Sequence, residues 1–165
     1  MLEVGGWRLE EKNQNKLKVG VSYPSTSTII IRRWRQMSNY IFPFEKLDVW
    51  RMAVELADYT LSLLERIPLN KYLRLVSQME GAVASISQNI AEGKGRQYRK
   101  EFIQYLSIAQ GSLYETITLN EIFRRRGLFA KEESEGIKVR GEEIDRKLNG
   151  LMNALRGTKR REVRG

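Results

Sequence analysis

From Leu47 onward the apolar residues keep a helical period, and this constrains the fold more than any other feature of the chain. Leu47, Trp50, Val54, Ala57, Leu61 and Leu64 recur at three- and four-residue intervals, which places them along one side of a helix as a bundle seam. A second stripe, Val49, Ala53, Leu56, Leu63 and Ile67, widens that face beyond a two-helix seam. The first helix is expected over about 45–67, because Pro68 disfavours helical geometry in the residue before it.

Pro68 then opens the next turn, with Asn70 as a cap of a second helix over about 70–92. Its stripe is Val76, Met79, Val83, Ile86 and Ile90, and the small residues Gly81, Ala82, Ala84 and Ser85 permit close helix approach. Gly93 fits the left-handed position that ends many helices. A third helix over about 98–126 turns Phe102, Leu106, Ala109, Leu113, Thr116 and Phe123 inward. At about 29 residues it spans roughly 43 Å, and Gly127 follows as its C-cap. Arg124, Arg125 and Arg126 suit the negative end of its dipole. A fourth helix over about 130–155 carries Ile137, Ile144, Leu148, Leu151 and Leu155, although Gly136, Gly141 and Gly150 lower its propensity. Four amphipathic helices joined by short turns predict an all-α, antiparallel up-down-up-down bundle over 37–157.

The flanks differ. Residues 1–36 mix Gly, Asn, Lys and Ser with one β-prone run, Ser25 to Trp34, and have no long period. They are read either as sequence upstream of a native start at Met37 or as a real but weakly ordered extension; residues 158–165 form a basic tail. No apolar run approaches the roughly 18 residues a membrane span needs, and the N-terminus lacks a signal peptide's apolar core. The expected location is the cytoplasm, with no membrane association.

Elimination covers most of the chemistry. The chain has no cysteine and no histidine. Disulfides, thiolate metal sites, Ser-His and Cys-His nucleophiles and Glu-x-x-His di-metal sites are therefore excluded. No serine opens an S-x-x-K pattern, and "GKGR" lacks both the Lys-Ser/Thr ending and the preceding strand of a phosphate loop. Ser77-x-x-Glu80 and Ser112-x-x-Glu115 match a capping box but lie inside helical runs. No catalysis, metal or cofactor is expected.

What remains is the turn between the second and third helices. The chain holds 29 Lys and Arg against 20 Asp and Glu, a net +9, which favours acidic partners, nucleic acid first. Lys94, Arg96, Arg99 and Lys100 cluster where a helix begins, although cations at that end of a helix cost stability. Gly93 and Gly95 leave the backbone open, so its N–H groups and those of the next helix's first turn are available to an anion. Tyr98 either stacks on a base or packs inward. The competing reading is an ordinary glycine-capped turn whose charges are solvated, with Arg99 or Lys100 pairing with Glu92.

The segments Phe44 to Trp50, Ser87 to Arg96 and Lys100 to Glu115, with "LNGLMNAL" near the C-terminus, resemble the four-helix bundle proteins encoded by bacterial 23S rRNA intervening sequences. The similarity covers about 44–155, with Ser87 where many members carry proline. The resemblance implies a ring-like homopentamer without enzymatic activity. The chain is also similar to the accessory proteins of diversity-generating retroelements, which implies nucleic acid and a reverse transcriptase as partners. Two functions follow as expectations. One is a non-catalytic oligomer that binds RNA or DNA backbone, rRNA among the candidates, through the helix 2–3 turn. The other is a protein-interaction scaffold whose charge serves solubility.

Overall fold

The computed structural model describes residues 40–157. Four helices account for most of them, and there is no strand among the described residues: α1 (Asp48–Leu64), α2 (Leu69–Lys94), α3 (Arg99–Arg125) and α4 (Lys131–Gly157). Each helix packs on its chain neighbours and α4 closes on α1, making a four-helix bundle. None of these helices is long and apolar enough to cross a membrane. The expectations for residues 1–36, including a start at Met37, and for the tail 158–165 lie outside the described residues.

The core follows the apolar period. Val76, Met79, Val83, Ile86 and Ile90 of α2 are buried, as are Phe102, Leu106, Ala109, Leu113, Thr116 and Phe123 of α3. On α1 only one of the two stripes is central. Val49, Ala53, Leu56 and Leu63 are buried, whereas Val54 and Leu61 keep 39% and 38% of their surface in water. Leu64 of the other stripe is buried too, and Leu47, Trp50 and Ala57 pack against the edge of the core, so only Val54 and Leu61 of the seam expected along Leu47 to Leu64 turn outward. On α4, Met152 is buried while Leu151 and Leu155 are half-buried.

Three local expectations are corrected. Asn70 lies inside α2 rather than capping it; the N-cap is Pro68, which has no side-chain bond. Gly81 is exposed with no atom near its missing Cβ; the close approach of α2 and α3 is instead marked by Ser85 and Ser112, whose hydroxyls meet at 2.9 Å. Gly93 is not left-handed, and only Gly127 among the described glycines has positive φ. Gly93 lies within α2, buried, where a Cβ would stand 2.5 Å from Tyr105 Cβ and 2.9 Å from Phe102 Cδ2. Glycine is there for contact, not for curvature.

The end of α3 shows the left-handed glycine at work. Gly127 has φ +67°; its N–H donates to Arg124 O at 3.0 Å, and Leu128 N–H reaches Phe123 O at 2.9 Å. This pair of bonds is a Schellman motif, which satisfies the last carbonyls of the helix. It also folds Phe129 onto Phe123, with ring centroids 4.7 Å apart.

Candidate nucleic-acid interface

The turn between α2 and α3 is built tightly. Gly95 is the C-cap of α2, and its N–H donates to Ala91 O and Glu92 O at 3.2 and 3.0 Å. Arg96 N–H donates to Gly93 O at 3.1 Å. These two amides are spent on helix carbonyls, so the glycines do not offer an open backbone cradle. At the start of α3, Tyr98 N–H donates to the Glu101 carboxylate at 3.3 Å, and Phe102 N–H begins the helical ladder on Tyr98 O. Glu101 therefore supplies the negative charge that the dipole's positive end favours, and an external anion must compete with it.

The side chains diverge in role. Arg96 is held inward: its guanidinium bonds the Glu92 carboxylate, reaches the Tyr105 hydroxyl at 2.5 Å and lies 4.8 Å from that ring's centroid. The Tyr105 hydroxyl in turn donates to Glu92 Oε1 at 2.8 Å. The Tyr105 hydroxyl, then Arg96, hold the Glu92 carboxyl below its ordinary range. The same carboxylate pushes the Tyr105 phenol up and strengthens the charge on Arg96. The pairing falls to Arg96, four residues from Glu92, because that spacing puts both on one face of the helical turn. A phosphate must displace Glu92 to use Arg96.

Lys94, Tyr98, Arg99 and Lys100 all point outward. Lys94 Nζ sits 5.7 Å from the Phe102 ring centroid. Tyr98 keeps 64% of its surface in water, so it is displayed rather than packed. Arg99 and Lys100 occupy the exposed first turn of α3. The structure thus brings the five residues to the surface at one end of the α2–α3 pair, with Arg96 tied to the Glu92 carboxylate. The site can offer a cationic surface with an exposed aromatic ring, which suits a phosphate backbone and an unstacked base.

Two participants were missed from sequence. Tyr105 closes the Glu92–Arg96 pair, and its position, one helical turn beyond Glu101, carries no signal by itself. Glu101 carried one: a carboxylate three residues after the N-cap position reaches back to the N-cap amide.

Comparison with known proteins adds one finding. The family model for the 23S rRNA-intervening sequence protein matches residues 45–150, about two thirds of the chain and all of the α2–α3 turn. No curated protein matches it.

Proposed function

Because the chain belongs to the 23S rRNA-intervening sequence protein family, we propose that it is a non-catalytic cytoplasmic protein that binds the phosphate backbone of RNA or DNA, as an antiparallel up-down-up-down bundle assembled into a ring-like homopentamer. The antiparallel course is supported by contacts that descend α4 as they ascend α3: Ser107 with Met152, Gln110 with Asn149, Tyr114 with Asp145 and Asn120 with Ser134. On that course α4 ends beside the first turn of α3.

The observation that carries the reading is where the charge lies. Residues 40–157 hold 18 Lys and Arg against 16 Asp and Glu, whereas the two flanks hold 11 against 4. The bundle itself is nearly neutral and exposes cations at both ends, Arg66, Lys71 and Arg124 among those at the far end; Lys94, Arg99 and Lys100 share the near end with Arg156, after which the sequence continues with Lys159, Arg160, Arg161 and Arg164. The basic sequence after Arg156 supports the near end as the place of phosphate contact, with an rRNA or retroelement nucleic acid as ligand and a reverse transcriptase as a protein partner in the second setting. In a ring, each subunit repeats the contacts and avidity adds along one strand.

The test is the salt dependence of binding to a fluorescent single-stranded RNA. Removing one phosphate-binding cation should flatten the log–log slope by about 0.7 to 0.9. Replacing Arg99 and Lys100 by Ala, and separately ending the chain at Gly157, should each flatten it. Binding that ignores salt in the unaltered protein sinks the reading. Light scattering tests the ring: a monomer mass at micromolar concentration refutes it.

A second reading, a scaffold for a protein partner, is favoured by Val54 and Leu61, which leave an apolar stripe of α1 in water. Salt-insensitive capture of one protein is its signature.

A further inference from the structure

Buried Thr116 bonds a carbonyl one turn back, its Oγ1 donating to Ser112 O at 2.9 Å. Thr60, with no exposed surface, is different: its hydroxyl has no hydrogen-bond partner among the described residues. Asn120, 3% exposed, is half satisfied. Its Nδ2 donates to Ser134 O at 3.0 Å, which fixes the amide's orientation, and its Oδ1 has no partner among the described residues.

These two groups lie at one level of the bundle. Asn120 meets α4 at Ser134, and Tyr59, the residue before Thr60, meets α4 at Glu133, with its hydroxyl 2.7 Å from where a Gly136 Cβ would stand. Thr60 and Asn120 belong to α1 and α3, which have no direct backbone approach among the described residues and face each other across the core. Unpartnered polar atoms that converge in a buried layer are satisfied by water when two to four partners surround it. Thr116, fully buried one turn before Asn120 on the same face of α3, supplies the third: its oxygen donates to Ser112 O and keeps its lone pairs for accepting.

We propose that the bundle core holds one buried water molecule, bound between Thr60, Asn120 and Thr116. The hydrogen bonds balance. The Thr60 hydroxyl donates to the water, and the water donates one proton to Asn120 Oδ1 and the other to Thr116 Oγ1. Every polar atom of the layer is then satisfied, which a buried layer requires if it is not to be costlier than an apolar one. The water ties α1 to α3, two helices whose backbones do not approach each other directly.

The test turns on sign. Without the water, Thr60→Val removes an unbonded hydroxyl and should leave stability unchanged or raised. With the water, it strands the bound molecule and raises the unfolding equilibrium constant about tenfold. Thr60→Ser keeps the donor and should retain the water. Magnetic relaxation dispersion of water oxygen on the unaltered protein reads the site directly, since it detects long-lived internal water without any substitution. Expected is one such water that is absent in Thr60→Val and kept in Thr60→Ser. No long-lived water in the unaltered protein, or Thr60→Val as stable as the parent, overturns the proposal.

Discussion

Gly93 of α2 lies so close to Tyr105 of α3 that an added methyl group would stand 2.5 Å from the Tyr105 Cβ, with Phe102 Cδ2 at 2.9 Å. Both obstructing atoms are near the helix axis or part of a rigid ring, so neither yields without moving α3. Gly93→Ala should therefore destabilise by about 1–3 kcal/mol, despite the roughly 1 kcal/mol that alanine gains over glycine in a helix. Gly81 and Gly111, in mid-helix with nothing near their missing Cβ, should show the opposite sign, each gaining up to about 1 kcal/mol as alanine. Urea midpoints of the three variants check the contrast.

Gly127 should tolerate substitution poorly for a different reason. A Cβ there meets no atom, but its φ of +67° is left-handed. Alanine should cost about 1–2 kcal/mol, and asparagine less, because it enters that region more readily. Since the strain is local, thermal melts should shift without any change in oligomer mass.

The acid limb of the stability curve should be set by paired surface carboxylates. Arg124, then Arg125, hold the Glu121 carboxyl at about 2 against an ordinary 4.5. The Ala130 backbone N–H, then Arg66, lower Glu133, and Tyr105 with Arg96 lowers Glu92. A depressed folded-state pKa gives stability that is complete above the unfolded value and is lost as pH falls through the folded one. Stability should thus decline from about pH 4.5 toward about 2, and Glu121→Gln should flatten that decline. Because these groups are exposed, 0.5 M salt should flatten it as well.

The turn's cations should separate by role. Arg96→Ala removes the partner of Glu92 and the cation over the Tyr105 ring, so it should lower the melting temperature. Replacing Arg99 and Lys100 by Ala relieves charge at the start of α3 and should leave the melting temperature unchanged or slightly raised. A lowered melting temperature for the Arg99/Lys100 pair would show that these side chains support the fold.

Four helices were legible because three- and four-residue apolar spacing recurs in every long segment and Pro68 and Gly127 punctuate it. The outward turn of Val54 and Leu61 on α1 was not. Its two stripes are equally apolar, and the choice between them is made by what α2 and α4 present, which lies outside α1. Gly93 shows the same boundary: a sequence displays a missing side chain but not the Tyr105 ring that forbids one. In the turn, the pairing of Arg96 with Glu92 was open to i,i+4 reasoning, which the clustering of Arg99 and Lys100 obscured.

The four helix–helix contacts also set an order in time. α2 and α3 make the most extensive of them and are joined by four residues, 95–98, so their pairing closes a short loop. α1 meets α4 across 67 to 74 residues, as Arg66 and Tyr59 do with Glu133, and this contact is less extensive. Loop-closure entropy must be overcome before distant contacts reward it. The α2–α3 hairpin is therefore the natural nucleus, and the seam between the first and last helices is the last to close and the first to part. Substitutions in that seam should speed unfolding and leave refolding nearly untouched, whereas those between α2 and α3 should slow refolding.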